Sequence, residues 1–499
     1  MALFGDIDTL LATVIDGRTD NIRYRQNQLQ SLHKALRNNA EKISSAITED
    51  ICGDTQGTNT EAQCEFYLVS DVIRRLYRTL NFESSLNDEY NIARGTDLLS
   101  RRVGKGSVVI RPSTHTRFYS IICPIATAIT AGNCVCLELG ETTSKVDGIL
   151  KELLSQALDN DTFYVSPTVL QDSILASALL VDQTSNSPTA NINQLISNSS
   201  ARTVAVVDRT ADIENAAKSI VTARFSFQGT SPYSPDLVIV NDFIKSDFTE
   251  ACTKYASKFF SSNRKSSTKQ NDGISATKKA FKDAESKKQI STFGSSNFVL
   301  ADVLDRTSII IEMKISGCYL PIMSSTSLVD AIMTQKSKSP LLAVYLFSNP
   351  STAKFLAQQF HASISYVNQI PLHLLVGPAA PLTPLPTPAF HKYSVEMFSS
   401  VCPQYILPPS EDLLILDEFV GGRESISKEA LLKKMQRVAT KKLPETGQGL
   451  GHAIGFFEQG IWLGAALFLS VVIPALGYAS WVGGRLAWGV IGKLRAGSV

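Results

Sequence analysis

From residue 107 to residue 347, short strand-forming runs alternate with helical stretches, and few folds tolerate that alternation. SVVIRP (107–112), 134–139, 162–165 and 178–181 read as strands. Between them lie an apolar helix closed by Gly132-Asn133, a helix over 144–158 and another over 168–176. A second series starts at TVAVVD (203–208) and continues through a helix over 210–227, a strand over 237–241 and a helix over 243–260. It closes with GCYLPI (317–322), a helix from Ser327 and the apolar strand PLLAVYLF (340–347). Strands that alternate with helices form parallel sheets joined by crossover helices. Residues 20–82 read as helices, with Ile22, Leu29, Leu32, Leu36 and Ile43 at helical spacing.

The C-terminus obeys a different constraint. From Gly460 to Gly484 the chain carries no charge, and about 20 such residues suffice to span a bilayer. Trp462 and Trp481 stand near the ends of this run, at the depth where amphipathic rings settle. Basic residues flank both sides, so charge leaves the orientation open, and Pro474 offers a point at which the run divides into a shallow hairpin. The segment 428–446 is a basic amphipathic linker into this tail.

The formal net charge of +2 exerts no global pull on nucleic acid. Eight scattered cysteines without a CxxC pair read as free thiols, and six histidines without ligand spacing argue against a metal site. The N-terminus carries acids and lacks the basic start of a secretory signal.

Over residues 20–407 the chain resembles the aldehyde dehydrogenase superfamily, nearest its membrane-anchored fatty-aldehyde branch. CPIATAITAGNCVCLELGETTS (123–144) is similar to the family's PLxxAxAAGNxVVLKPSE. GTSPYSPD (229–236) is similar to GQxCxxPD, DGISATKKAF (272–281) to a surface helix, and FHKYSVEMFSS (390–400) to the strand that completes a neighbour's sheet. The resemblance implies a Rossmann-type cofactor domain, a second α/β catalytic-type domain, oligomerisation strands and a C-terminal transmembrane helix.

That resemblance also implies a chemistry: a thiolate attacks the aldehyde, hydride passes to NAD or NADP, and a carboxylate activates water. The cysteine position falls on Pro232, which has neither nucleophile nor N–H. Its neighbour Ser231 would need a dedicated base. The general-base glutamate falls on Asn198, which takes no proton from water at neutral pH. The Trp and Asn of the family's PWN fall on Thr114 and His115, and His115 is the candidate oxyanion donor. Cofactor contacts fall on Glu138, on Gln183 and Thr184 in a turn without glycine, and on Lys314 where the family has glutamate.

The expected organisation is an N-terminal and cofactor-type domain over 1–202, with 107–112 serving oligomerisation, and a catalytic-type domain over 203–388. An oligomerisation strand over 389–410, a linker over 411–459 and a membrane anchor over 460–484 follow. The expected function is that of a homodimeric, membrane-anchored accessory or binding protein of this family, its globular part cytosolic and its ligand a hydrophobic small molecule. Two alternatives are oxidation of a fatty aldehyde with NAD or NADP by a divergent mechanism, and ester hydrolysis through Ser231.

Overall fold

The computed structural model describes residues 7–52, 60–140, 142–184, 192–261, 272–336, 338–382, 392–421, 427–447 and 455–496. The chain divides into two compact units, 1–407 and 408–499.

The first unit contains two sheets and a ribbon. β1 (Arg102–Gly104) belongs to the ribbon. The first sheet holds β2 (Ser107–Arg111), β3 (Cys134–Glu138), β4 (Phe163–Ser166), β5 (Leu179–Asp182) and β6 (Asn193–Ile196), all parallel, in the order β4-β3-β2-β5-β6. The second holds β7 (Thr203–Val207), β8 (Leu237–Asn241), β9 (Ile290–Gly294), β10 (Val299–Val303), β11 (Tyr319–Ser325), β12 (Leu341–Phe347) and β13 (Ala362–Val367). Its order is β13-β12-β7-β8-β11-β10-β9, and only β9 runs antiparallel. β14 (Ser399–Val401) pairs antiparallel with β1.

The helix Arg117–Thr130 is buried along its whole length after Arg117, between the first sheet and the N-terminal helices Ile22–Asn38 and Thr60–Thr79. It ends at Gly132, which adopts a left-handed φ of 86°. Asn133 then holds three segments: its amide donates to the carbonyls of Ala128 and Phe398, and its oxygen accepts from Gly106 N–H. The AGN motif is thus the joint between the buried helix, the turn into β2 and the approach to β14.

SVVIRP is closed to strand pairing with a neighbour. It forms β2, the central strand of the first sheet, with β3 on one edge and β5 on the other. Both rows of backbone donors and acceptors are filled, so no edge remains for a partner strand. The segment 389–410 contributes β14, and its described part pairs within its own chain. Phe390, His391 and the prolines of 383–388 lie outside the described residues.

The second unit contains the helices Glu411–Gly421, Lys428–Ala439 and Phe456–Ala496. The segment between the α/β region and the tail is therefore partly helical. Within the last helix, Phe457–Arg485 has a mean hydropathy of 2.0 and none of it is buried. Pro474 sits inside this continuous helix, so the run is one rod and not a hairpin.

Candidate functional site

The loop that would carry a nucleophile follows the helix Ile213–Phe225, which starts at an Asp212 cap. Phe227, Gln228 and Gly229 adopt successive left-handed φ values of 51°, 55° and 64°. For the two non-glycine residues this conformation stores strain of about 1–3 kcal/mol each. At Gly229 a Cβ would lie 2.2 Å from the Gly317 carbonyl oxygen, so no side chain fits.

Residues 231–236 are buried and locked from beneath. The fully buried Arg224 guanidinium donates to the carbonyls of Gly229 (2.8 Å), Ile315 (2.8 Å), Gly317 (2.7 Å) and Pro235 (3.3 Å). It also pairs with Asp236 at 3.6 Å. Asp236 accepts from Thr203 N–H (2.7 Å), Ile315 N–H (3.0 Å) and the Lys314 ammonium (2.9 Å). Lys314 and Thr203 Oγ1 both donate to the Pro232 carbonyl, at 2.5 and 3.1 Å. Lys314, a cofactor-contact position by resemblance, therefore braces the loop. Burial lowers its pKa, and the Asp236 charge opposes that.

Within this frame Pro232 contributes only a carbonyl to the lock. The buried Ser231 hydroxyl accepts from Tyr233 N–H at 3.3 Å, and among the described residues no imidazole or carboxylate meets it. Asn198 caps the turn into β7, accepting from Ala201 N–H and Ser200 Oγ. None of these described hydrogen bonds joins Asn198 to the 229–236 loop.

His115 is half-buried, with Nε2 2.8 Å from the Leu375 carbonyl and Nδ1 3.0 Å from Thr230 Oγ1. A carbonyl only accepts, so Nε2 carries the proton, while Nδ1 faces the Thr230 hydroxyl, which itself lies 2.7 Å from the Phe227 carbonyl. Burial first, and the nearby Lys392 charge second, push its pKa down to about 4. The ring is neutral with both nitrogens engaged. It is a strut between two loops, and the expected oxyanion donor has no N–H to offer. Lys392 is itself buried, donating to the Leu374 carbonyl at 2.7 Å with its nitrogen 3.8 Å above the Tyr233 ring.

Ligands of open parallel sheets bind beyond the carboxyl ends of the strands, where the strand order reverses. In the first sheet that point lies between β2 and β5, whose last residues are Arg111 and Asp182. Arg111 Nε donates to Glu138 at 2.5 Å, and its Nη1 lies 3.7 Å from Asp182. Glu138, the last residue of β3, also accepts from Leu170 N–H. One guanidinium thus ties together the ends of three strands. Gln183 is engaged at both ends, accepting from Ser113 N–H and donating to the Ser120 carbonyl. Thr184 donates its N–H and hydroxyl to Asp182. Glu138, Gln183, Thr184 and Lys314, the cofactor-contact positions by resemblance, are thus each engaged by a protein partner.

A cavity of about 370 Å³ lies against His115, Thr230 and Phe227 and extends to Glu65 and Phe118. Three left-handed residues, Thr116, Phe227 and Gln228, line it. Glu65 is buried and accepts from Tyr119 N–H at 2.9 Å at the start of the helix Arg117–Thr130. Burial raises its pKa to about 7, although the Tyr119 and Phe118 amides pull it down. Asp147 and Arg117 pair through two hydrogen bonds on another wall. Sequence reading missed Arg224, Asp236, Arg111 and Glu65. Only Asp236, in the PD of the loop motif, and Arg111, at a strand end, carried any signal.

Burial raises the pKa of Cys134 and Cys136 to about 12 and of Cys318 to about 11, and raises Cys123 and Cys252 as well.

The model of the aldehyde dehydrogenase family matches residues 18–377. The dimeric NADP-preferring aldehyde dehydrogenase of Rattus norvegicus is 22% identical over 387 residues, 72% of this chain and 84% of that protein. Aldehyde dehydrogenase family 3 member I1, chloroplastic, of Arabidopsis thaliana is 24% identical over 441 residues, 79% of this chain and 76% of its own length. Among solved structures, the substrate-bound state of Staphylococcus aureus AldH superposes with a TM-score of 0.66 at 18% identity, covering 87% of this chain and 98% of that one.

Proposed function

This chain belongs to the aldehyde dehydrogenase family, and from that premise we propose that it is a membrane-anchored member without the family's NAD(P)-dependent oxidation, serving as a binding or accessory partner. The observation that carries the reading is Pro232: the nucleophile position holds a residue with nothing to attack with, in a loop built around its carbonyl. The Arg111–Glu138 pair supports it from the cofactor side. The helix Phe457–Arg485 supplies the anchor. In this reading the globular part is cytosolic. The cavity, with Ile47, Phe118, Val146 and Phe227 in its wall, takes a hydrophobic small molecule. Homodimerisation proceeds through the β1–β14 ribbon, beside which Val401, Tyr405 and Ile406 are exposed.

A second reading, oxidation of a fatty aldehyde with NAD or NADP by a divergent mechanism, is favoured by the relatives, which are named as dehydrogenases. Titration of the purified full chain with NAD and NADP separates the two. Absence of binding at millimolar cofactor is expected. Micromolar binding together with aldehyde-dependent NADH or NADPH formation would establish the second reading instead.

A further inference from the structure

We propose that the basic face of the helix Lys428–Ala439 docks on anionic lipid headgroups of the bilayer that holds the C-terminal helix; the inference rests on the anchor reading above. Between 428 and 445 the chain carries six basic residues, Lys428, Lys433, Lys434, Arg437, Lys441 and Lys442, against Glu429 and Glu445, a local charge of +4 in a chain whose total is +2. All six are exposed, and among the described residues none forms an ion pair.

The helix has two distinct sides. Leu431 is buried where it packs on the helix Glu411–Gly421, whose Ile415 is also buried. At about 100° per residue, Lys433, Arg437 and Lys434 fall roughly 200°, 240° and 300° around from Leu431, leaving one flank basic. Lys433 and Arg437 thus lie across the helix from Leu431, on the side turned from the helix Glu411–Gly421.

Geometry brings the flank to a membrane. Fourteen residues separate Lys442 from Phe457, which limits the distance from the apolar helix to about 50 Å at ~3.5 Å per residue. A bilayer surface is an extended plane, so tethering within that radius keeps the helix at high effective concentration next to it. Charge complementarity selects the headgroup. Each lysine or arginine near an anionic surface shifts the equilibrium about fivefold, and a zwitterionic surface offers no such gain.

The test uses the full chain in nanodiscs of phosphatidylcholine, with or without about one-third phosphatidylserine. Acylation of Lys433 and Lys434 by a water-soluble ester is read by mass spectrometry. In 0.1 M salt both lysines should react several-fold more slowly in the phosphatidylserine discs, and 0.5 M salt should erase the difference. Reversing charge at Arg437→Glu, Lys441→Glu and Lys442→Glu, which leaves both reporters in place, should erase it too. Equal rates in the two disc types, for protein that co-elutes with the discs, would overturn this proposal alone. Protein that co-elutes with neither disc type would overturn the anchor reading and this proposal with it.

Discussion

Glu65 gives the sharpest quantitative test of the cavity wall. Its carboxyl rises from an ordinary 4.5 to about 7 because burial outweighs the Tyr119 and Phe118 amides and the Asp50 charge adds to the rise. An acid that is weaker in the fold than in the unfolded chain binds protons preferentially in the fold. Its stabilising contribution is complete below pH 4.5 and is lost as the pH rises through 7. Between pH 5 and 8.5 the loss comes to about 2.5 kcal/mol. Glu65→Gln keeps an oxygen that accepts from the helix amides but cannot ionise. The variant's advantage over the parent should grow by about 2.5 kcal/mol between pH 5 and pH 8.5. Urea unfolding of the detergent-solubilised full chain at the two pH values measures this. His115, whose pKa falls to about 4, acts in the opposite sense, losing its contribution as pH falls from 6.5 to 4. It is common to both proteins and cancels in the difference. Parallel pH profiles for parent and variant would show that Glu65 does not titrate in this range, and the reasoning would fail.

Asp236→Asn removes the one carboxylate between Arg224 and Lys314 and should cost about 3 kcal/mol, since it leaves buried cations without a counter-charge; a denaturant midpoint within error of the parent would contradict the lock. Pro232→Cys with Asn198→Glu should not produce NAD reduction with a long-chain aldehyde, because hydride transfer needs a held nicotinamide; NADH formation by the pair would mean the crevice is functional. Truncation after Leu443 should move the protein to the soluble fraction after a salt wash, since the apolar run supplies the salt-resistant affinity; a pellet that survives the wash would assign that affinity to another surface.

The strands that sequence reading located are those with continuous apolar runs, such as β3, β7, β8 and β12, all buried along their length. β6, β9 and β13 lie at sheet edges and carry polar residues, as in ASISYV, where half-exposed and exposed positions alternate. Such runs do not stand out from loops. β2 shows the opposite failure. Its apolar character was evident, but one chain does not reveal whether a strand's edges are filled by its own sheet or by a neighbour. The site divided in the same way. Position in a motif located Pro232, His115 and Lys314, but not what each one touches, because the partners come from distant segments such as Leu375 and Asp236.

On the proposed reading, those contacts explain why the loop is still recognisable with Pro232 at its nucleophile position. Gly229 is required because its Cα approaches the Gly317 carbonyl, and Asp236 because Thr203, Ile315 and two cations depend on it. Both belong to the motif by which the loop is recognised, and both serve the fold whether or not a reaction occurs. The cysteine position has no such duty, since the lock needs only its carbonyl, which any residue provides. Lys314 goes further: at a cofactor-contact position it strengthens the lock by adding a charge that Asp236 accepts. Arg111 and Glu138 likewise satisfy strand ends that a dinucleotide would otherwise meet. If the accessory reading holds, the scaffold has kept its structural half unchanged while its chemical half is rebuilt into internal contacts. On that reasoning, restoring the cofactor contacts at Lys314 and Glu138 requires undoing contacts that now hold the fold, and each change there should lower stability before it adds activity.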